Sequence, residues 1–240
     1  MDGNNRYGTL HGMPLGEGHR AGSNQLDPVI SYCEEQGIEV LSLFAFSSEN
    51  WLRPEAEVNY LFALFEEAIL GELPRLMRGR IRMRFTGDRA RLPLRLQELM
   101  QDAEDKSAHH TGMVLNIAVS YGGQWDIVNA AKRLVHRAAK GELTAECITH
   151  DTFASELSTA GLPEVDLLIR TGGEYRISNF LLWQSAYAEL YFTDCLWPEF
   201  DSQELERAFL FYNSRQRRFG SSSRPDAAVT DPNSTKGEPC

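Results

Sequence analysis

The stretch from Arg170 to Phe180, RTGGEYRISNF, gathers two arginines, a hydroxyl and a pair of adjacent glycines. A guanidinium offers a planar fork to phosphate oxygens and keeps its charge at any working pH, and the glycines leave backbone N–H groups open to an anion. The preceding run, Val165 to Ile169, is apolar in the manner of a buried strand of a parallel sheet. Ligands of open α/β sheets bind beyond the carboxyl ends of the strands. Arg170, Arg176 and Ser178 therefore suit a diphosphate, against the alternative of a surface turn with merely solvated arginines. Glu189 follows in NFLLWQSAYAELYF, flanked by Ala188, Leu190, Tyr191 and Phe192. An acid buried there without a partner is expensive. Either a bound cation meets it, with magnesium one good answer, or a salt bridge at a subunit interface does.

Two other stretches carry polar chemistry. The chain opens on a turn-rich run, Asp2-Gly3-Asn4-Asn5-Arg6, with no strand before it, and continues to Gly22 with five more glycines, His11, Pro14, His19 and Arg20. This reads as a mobile loop leading into a helix. Gly16-x-Gly18 lacks the preceding strand and third glycine of a dinucleotide fingerprint. The second stretch, Ser47 to Pro54, closes a strand and holds Asn50, Trp51 and Arg53. Trp51 is either core filler or a platform for an apolar substrate.

The elements that must position these groups alternate along the chain. Strands are expected at 38–46 (IEVLSLFAF), 81–86 (IRMRFT, half exposed), 114–119 and 165–169. Helices are expected up to about Gln36, with Pro28 implying a kink or a late start near Asp27, and then at 55–77, 92–109, 124–139, 150–158 and 201–211, the last capped by Asp201. In the second of these helices Val58, Leu61, Phe62, Phe65, Ile69, Leu73 and Leu76 form one apolar stripe, which either packs on the sheet or walls an apolar tunnel. The pattern predicts an α/β fold, a central, mostly parallel sheet flanked by helices, with one folded domain over 1–220 and a disordered tail over 221–240.

Composition narrows the function. A formal charge of −10 over 240 residues argues against a nucleic-acid partner. The four cysteines show no C-x-x-C pair, which suits a reducing cytoplasm. No run is long and apolar enough for a membrane span.

The blocks DGNNR, GHRAG, FAFSSENWLRP, NIAVSYGGQWDI and DLLIRTGGEYRISNFLLWQSAYAELYF together resemble the cis-prenyltransferase family, over nearly everything from Met1 to Gly220. The resemblance implies condensation of farnesyl diphosphate with successive isopentenyl diphosphates in cis configuration. The implied product is undecaprenyl diphosphate, the lipid carrier precursor for cell-wall polysaccharides. It also implies Mg2+ as cofactor, a homodimer, an apolar substrate tunnel, and a cytoplasmic location or a peripheral one at the inner face of the membrane. Position by position, it makes Asp2 the catalytic and metal-handling aspartate and Asn4 its neighbour in proton removal or substrate holding. Gly3, Asn5, Arg6, Tyr7 and His19 fall around the allylic diphosphate. Ser47, Asn50, Trp51 and Arg53 fall on a mobile loop joining the two substrate sites. Arg170, Arg176 and Ser178 fall at the isopentenyl diphosphate site, Glu189 at a metal site, and Arg218 in a terminal R-x-G pattern reaching the neighbouring subunit. Ala45, small among bulky neighbours, leaves room for a long chain, and Met113 lies where it could help set tunnel depth. The departures expected from the resemblance are Asn5 for a common Gly, Tyr7 for a common Trp, Leu15 for a common Arg, and a missing first strand, the one the family carries before its Met-Asp-Gly-Asn. A shorter-chain cis-prenyltransferase and a non-catalytic prenyl-diphosphate-binding homologue are the alternatives.

Overall fold

Three of the apolar runs pair side by side in the computed structural model, which describes residues 1–215. β1 (Val40–Ser47), β2 (Arg82–Thr86) and β3 (Val114–Tyr121) form a parallel sheet in the order β1-β3-β2. β3 holds the centre because it is mostly apolar and buried from Leu115 to Tyr121, with its polar Asn116 and Ser120 hydrogen-bonded to Ser42 and Trp51. β2 sits at an edge, as its alternation requires: Met83 and Phe85 are buried, Arg82 is exposed, and Arg84 donates to the carbonyls of Ser158 and Ala160 at 2.7 and 2.8 Å. The β1–β3 register slips between Phe44 and Phe46, which leaves Ala45 as the extra residue of a bulge.

The fourth expected strand, β4 (Leu167–Arg170), does not join this sheet. It pairs in parallel with β5 (Glu189–Phe192), a strand the sequence reading took only as an apolar segment. The single central sheet is thus observed as two parallel pieces. β1 and β4 both line a cavity of about 990 Å3, whose other walls come from helices.

The second correction concerns the first residues. The expected mobile loop is two short helices, α1 (Asn4–Leu10) and α2 (Glu17–Asn24). Neither has a strong propensity; close packing holds them. A Cβ on Gly18 would stand 2.1 Å from the Asn4 carbonyl oxygen, and one on Gly22 would stand 2.1 Å from Asn4 Oδ1 and 2.7 Å from the Trp197 ring. Glycine at these two positions lets α2 lie directly on α1 and on the buried Trp197, whose Nε1 donates to the Gly22 carbonyl at 2.7 Å.

The remaining helices follow the sequence closely. α3 (Leu26–Glu35) starts late, as Pro28 demands, with the proline in its first turn. α4 (Glu55–Arg78) and α5 (Leu94–Ser107) pack against each other and cover the sheet. α6 (Gly123–Ala139) leaves the end of β3, α7 (His150–Ala154) is shorter than expected, and α8 (Ser202–Asn213) is capped by Asp201, whose carboxylate accepts from the Gln203 and Glu204 N–H groups at 3.0 Å. The main core lies between β1–β3–β2 and α3, α4 and α5, around Ile30, Leu76, Ile81, Leu96, Met100 and Leu115. A smaller cluster on Ala118, Tyr121 and Leu181 joins Phe44 and Phe180. Cys33 is a free thiol buried in the core, and burial pushes its pKa up to about 12, so it acts as apolar filler. Met113 is buried in the same core and does not border the cavity, contrary to its expected part in tunnel depth. The expected tail over 221–240 lies outside the described residues.

Candidate active site

The chain brings residues from its two ends together around Asp2. The Asp2 N–H donates to Thr171 Oγ1 and the Thr171 hydroxyl donates to the Asp2 carbonyl, both at 2.9 Å, which staples the first residues to the end of β4. The Asp2 carboxylate accepts from the Gly3 N–H at 2.7 Å and from Arg170 Nη2 at 2.8 Å, and Arg6 Nη2 stands 3.8 Å away. Burial acts to raise the Asp2 pKa. Hydrogen bonds from Arg170 and Gly3 and the charges of Arg170 and Arg6 outweigh it, holding the carboxyl below its ordinary range.

Arg170 is the junction of the site. Besides Asp2 it reaches Ser178 Oγ at 2.6 Å and the Arg176 carbonyl at 2.5 Å. β4 ends at Arg170, so its side chain projects at the carboxyl end of the strand, as the sequence reading required. Arg176 stands at the rim, exposed and paired with Glu174 at 2.5 Å.

The Ser47–Arg53 stretch forms the opposite side. A 3₁₀ turn over Ser48–Leu52 is fixed by a reciprocal cap: the Ser47 N–H donates to Asn50 Oδ1 at 2.9 Å and the Asn50 N–H donates to Ser47 Oγ at 3.3 Å. Arg53 pairs with Glu57 at 3.0 Å. His19, between them and α1, has no hydrogen-bond partner on its buried Nε2. Burial and the Arg53 charge lower its pKa against a smaller opposing effect of Glu57, so the imidazole is neutral near pH 7. A neutral ring nitrogen without a partner, with the Arg53 charge near it, can meet an anion.

The cavity joins these groups. Asp2, Asn4, His19, Ser47, Asn50, Arg53, Arg170 and Ser178 all line it, while most of its remaining wall is apolar: Leu41, Leu43, Phe44 and Ala45 from β1, and Leu61, Phe62, Phe65, Ile69 and Leu76 from the α4 stripe. The packing reading of that stripe holds, since Phe62, Ile69 and Leu76 belong to the core, and part of the stripe also borders the cavity.

Other expected site residues stand apart. Gly3, Asn5, Arg6, Tyr7 and Arg176 do not line the cavity; Asn5 and Arg6 are exposed on α1, and Tyr7 stacks on His11 with ring centroids 4.1 Å apart. Trp51 is core filler: its ring meets Phe46 and Phe62 edge-on, its Nε1 donates to Ser120 Oγ at 2.9 Å, and Arg91 lies 4.6 Å from its centroid. Glu189 opens β5 opposite Leu167, three residues from the Arg170–Phe192 pair, or about 10 Å along the strands. Its cation is Arg215, at 3.3 Å. Glu189 is thus not brought together with Asp2 within one chain. Arg218 lies outside the described residues. The sequence reading missed Thr171, Glu49, Glu57 and Asn179, uncharged or acidic residues whose neighbours alone carried the phosphate signal.

Among the described residues no group of three or more His, Cys, Asp and Glu side chains could hold a metal ion. Magnesium commonly takes one or two carboxylates and completes its shell with water and substrate phosphates. The half-exposed Asp2 carboxylate at the cavity mouth fits that donor set.

Comparison with known proteins agrees with this geometry. A family model described as "Putative undecaprenyl diphosphate synthase" matches residues 1–220. A ditrans,polycis-undecaprenyl-diphosphate synthase, (2E,6E)-farnesyl-diphosphate specific, of Acinetobacter baylyi is 52% identical over 93% of this chain and 90% of its own length. The protein of that name from Legionella pneumophila (strain Paris) is 50% identical over 94% of this chain and 95% of its own. Among solved structures, lavandulyl diphosphate synthase from Lavandula x intermedia in complex with dimethylallyl diphosphate superposes with a TM-score of 0.90 at 36% identity, covering 92% of this chain and 95% of that one.

Proposed function

The chain belongs to the undecaprenyl diphosphate synthase family, and from that premise we propose that it is a prenyltransferase condensing farnesyl diphosphate with successive isopentenyl diphosphates in cis configuration to give undecaprenyl diphosphate. The observation that carries this reading is the single cavity whose mouth is polar and cationic and whose depth is apolar. An allylic diphosphate needs both parts: charge at its head and a dry enclosure for its tail.

In each cycle the C–O bond to the allylic diphosphate breaks with its electron pair leaving on the diphosphate. The double bond of isopentenyl diphosphate forms the new C–C bond to the allylic carbon, and a proton is lost from the incoming unit. Arg170 and Ser178, with Arg176 at the rim, hold the isopentenyl diphosphate head. Asp2, Arg6 and His19 surround the allylic head, with Gly3, Asn5 and Tyr7 shaping α1 beside it. Fixed positive groups aimed at the departing diphosphate stabilise the charge that develops there. Asn4, lining the mouth beside Asp2, orients the substrate at the carbon that loses its proton. Ser47, Asn50 and Arg53 join the two head groups, and Trp51 anchors that turn to the core. Apolar walls keep water from the cationic carbon.

Mg2+ bound at Asp2 would neutralise charge on the departing diphosphate. We assign Glu189 to the metal site of a neighbouring subunit, because within one chain it lies a strand's length from Asp2. A homodimer is part of this proposal, and the exposed Tyr187 and Leu190 beside Glu189 support it. Among the described residues no helix is long and apolar enough to cross a membrane. We therefore place the protein in the cytoplasm or at the inner membrane face, where its lipid product goes. The shorter-chain and non-catalytic alternatives are not favoured, since close relatives are undecaprenyl diphosphate synthases by name. Incubation with farnesyl diphosphate, labelled isopentenyl diphosphate and Mg2+, followed by mass spectrometry of the product, tests the reading. Undecaprenyl diphosphate is expected; a shorter product, or binding without turnover, would overturn it.

A further inference from the structure

The loop between Arg176 and Leu181 has an unusual backbone. Ser178, Asn179 and Leu181 take φ values of 47°, 63° and 44°, the left-handed region that residues other than glycine seldom occupy. Such a loop keeps its shape only if its surroundings fix it. Ser178 is held from one side by Arg170 at 2.6 Å. Asn179 is held from the other side by three bonds. Its carbonyl accepts from the Gly123 N–H at 2.6 Å, its Oδ1 accepts from the Gln124 N–H at 2.8 Å, and its Nδ2 donates to Glu49 Oε1 at 2.8 Å. The amide orientation is fixed by its partners, because a backbone N–H must face the oxygen and a carboxylate must face the nitrogen. Glu49 sits in the turn between Ser47 and Asn50, and the N–H groups belong to the first turn of α6. One side chain therefore ties together the Ser178 loop, the Ser47–Arg53 turn and the start of α6.

We propose that Asn179 is a positioning residue that locks the two substrate-binding loops in register, so that both diphosphate heads lie side by side at the mouth. It acts through Ser178 on one side and through Glu49 on the other. This inference rests on the function proposed above, but the latch exists in the unliganded protein and can be read there.

Asn179→Asp separates the latch from mere folding. The aspartate still accepts from Gln124, and it tolerates the left-handed backbone. Its second oxygen, however, now faces the Glu49 carboxylate. Adding Glu49→Gln restores a donor opposite the new acceptor. Steady-state kinetics with each substrate varied, thermal unfolding, and hydrogen–deuterium exchange of the unliganded proteins would be measured for wild type, both single variants and the double variant. Asn179→Asp should raise KM for isopentenyl diphosphate by about tenfold, equivalent to about 1.4 kcal/mol, and speed amide exchange in both 47–53 and 176–181. Glu49→Gln should give a smaller rise, because a neutral bond replaces a charge-assisted one. The double variant should return both readouts towards wild type. Unchanged KM and exchange in Asn179→Asp, no recovery in the double variant, or a loss of activity that only follows the folded fraction would overturn the inference. A wild-type protein without turnover would instead count against the proposed function, and the exchange data would still decide whether the latch couples the two loops.

Discussion

Arg170→Met removes the guanidinium at the junction of the site while keeping most of its stem. Three contacts go with it: Asp2 at 2.8 Å, Ser178 at 2.6 Å and the Arg176 carbonyl at 2.5 Å. Hydrogen bonds to a charged group are worth about 1.5–3 kcal/mol each where water is excluded. The Arg170 side chain is only 13% exposed, but that of Asp2 is 39% exposed, so water takes over much of what the guanidinium gave. The ion pair then contributes about 1 kcal/mol, and the loop contacts a similar amount. For a chain of this size each kcal/mol is about 2–4 °C in Tm, so a fall of several degrees is expected. Losing a charged donor to the isopentenyl diphosphate head costs about 1.5–3 kcal/mol of binding, so kcat/KM for isopentenyl diphosphate should fall by about 10- to 100-fold in protein that is still folded at the assay temperature. Thermal unfolding and initial rates with each substrate varied give both numbers. A fall in kcat/KM of less than about tenfold with Tm little changed would refute the placement of Arg170 at the isopentenyl diphosphate head. So would a collapse in Tm large enough to explain the lost activity.

Three further outcomes follow from particular residues. The lowered His19 pKa means that the unfolded chain binds a proton there more readily than the folded one; stability is full above the ordinary histidine value of about 6.5 and is lost as pH falls through the lower folded value. His19→Gln should flatten the fall of Tm as pH drops below about 6.5, His19's unfolded value, and an unchanged slope would count against the buried neutral imidazole. Gly18→Ala forces a Cβ to 2.1 Å from the Asn4 carbonyl; overpacking of this kind costs about 1–3 kcal/mol and should lower activity by moving Asn4, whereas wild-type Tm and rate would contradict the α1–α2 contact. Ala45→Leu puts a bulky side chain on the bulge that faces the cavity; products should shorten while the KM for isopentenyl diphosphate stays near wild type, and an unchanged product length would remove Ala45 from the path of the chain.

Much of the fold was legible because its strands are apolar runs with clear stops. The run 114–119 reads as a buried strand, and the stripe from Val58 to Leu76 reads as a helix face. The first residues were not legible. α1 and α2 are rich in glycine and polar residues, and the contact that makes them helical, glycine against Asn4, is tertiary. β5 was missed because ELYF is short and its partner β4 lies some twenty residues back across a loop. The position of Arg170 and Ser178 together at a strand end, on which their proposed diphosphate role rests, could be read from the sequence. Their union with Asp2 could not, since it joins positions at opposite ends of the chain through Thr171. Glu189 was expected to meet a bound metal or an interface partner, and within the chain its partner is Arg215 instead. Trp51 was equally suited to core or substrate, and only the rings of Phe46 and Phe62 against it decide the matter. Asn179 gave no signal at all, because its importance lies in which three groups meet around one amide.

A crystal structure with an unreactive farnesyl thiodiphosphate, isopentenyl diphosphate and Mg2+ tests the central claim most directly. The two diphosphates should lie at the mouth among Asp2, His19, Arg170 and Ser178, with the farnesyl tail running inward past Ala45, Phe65 and Ile69. Head groups bound away from Asp2 and Arg170, or a tail lying outside the cavity, would contradict it.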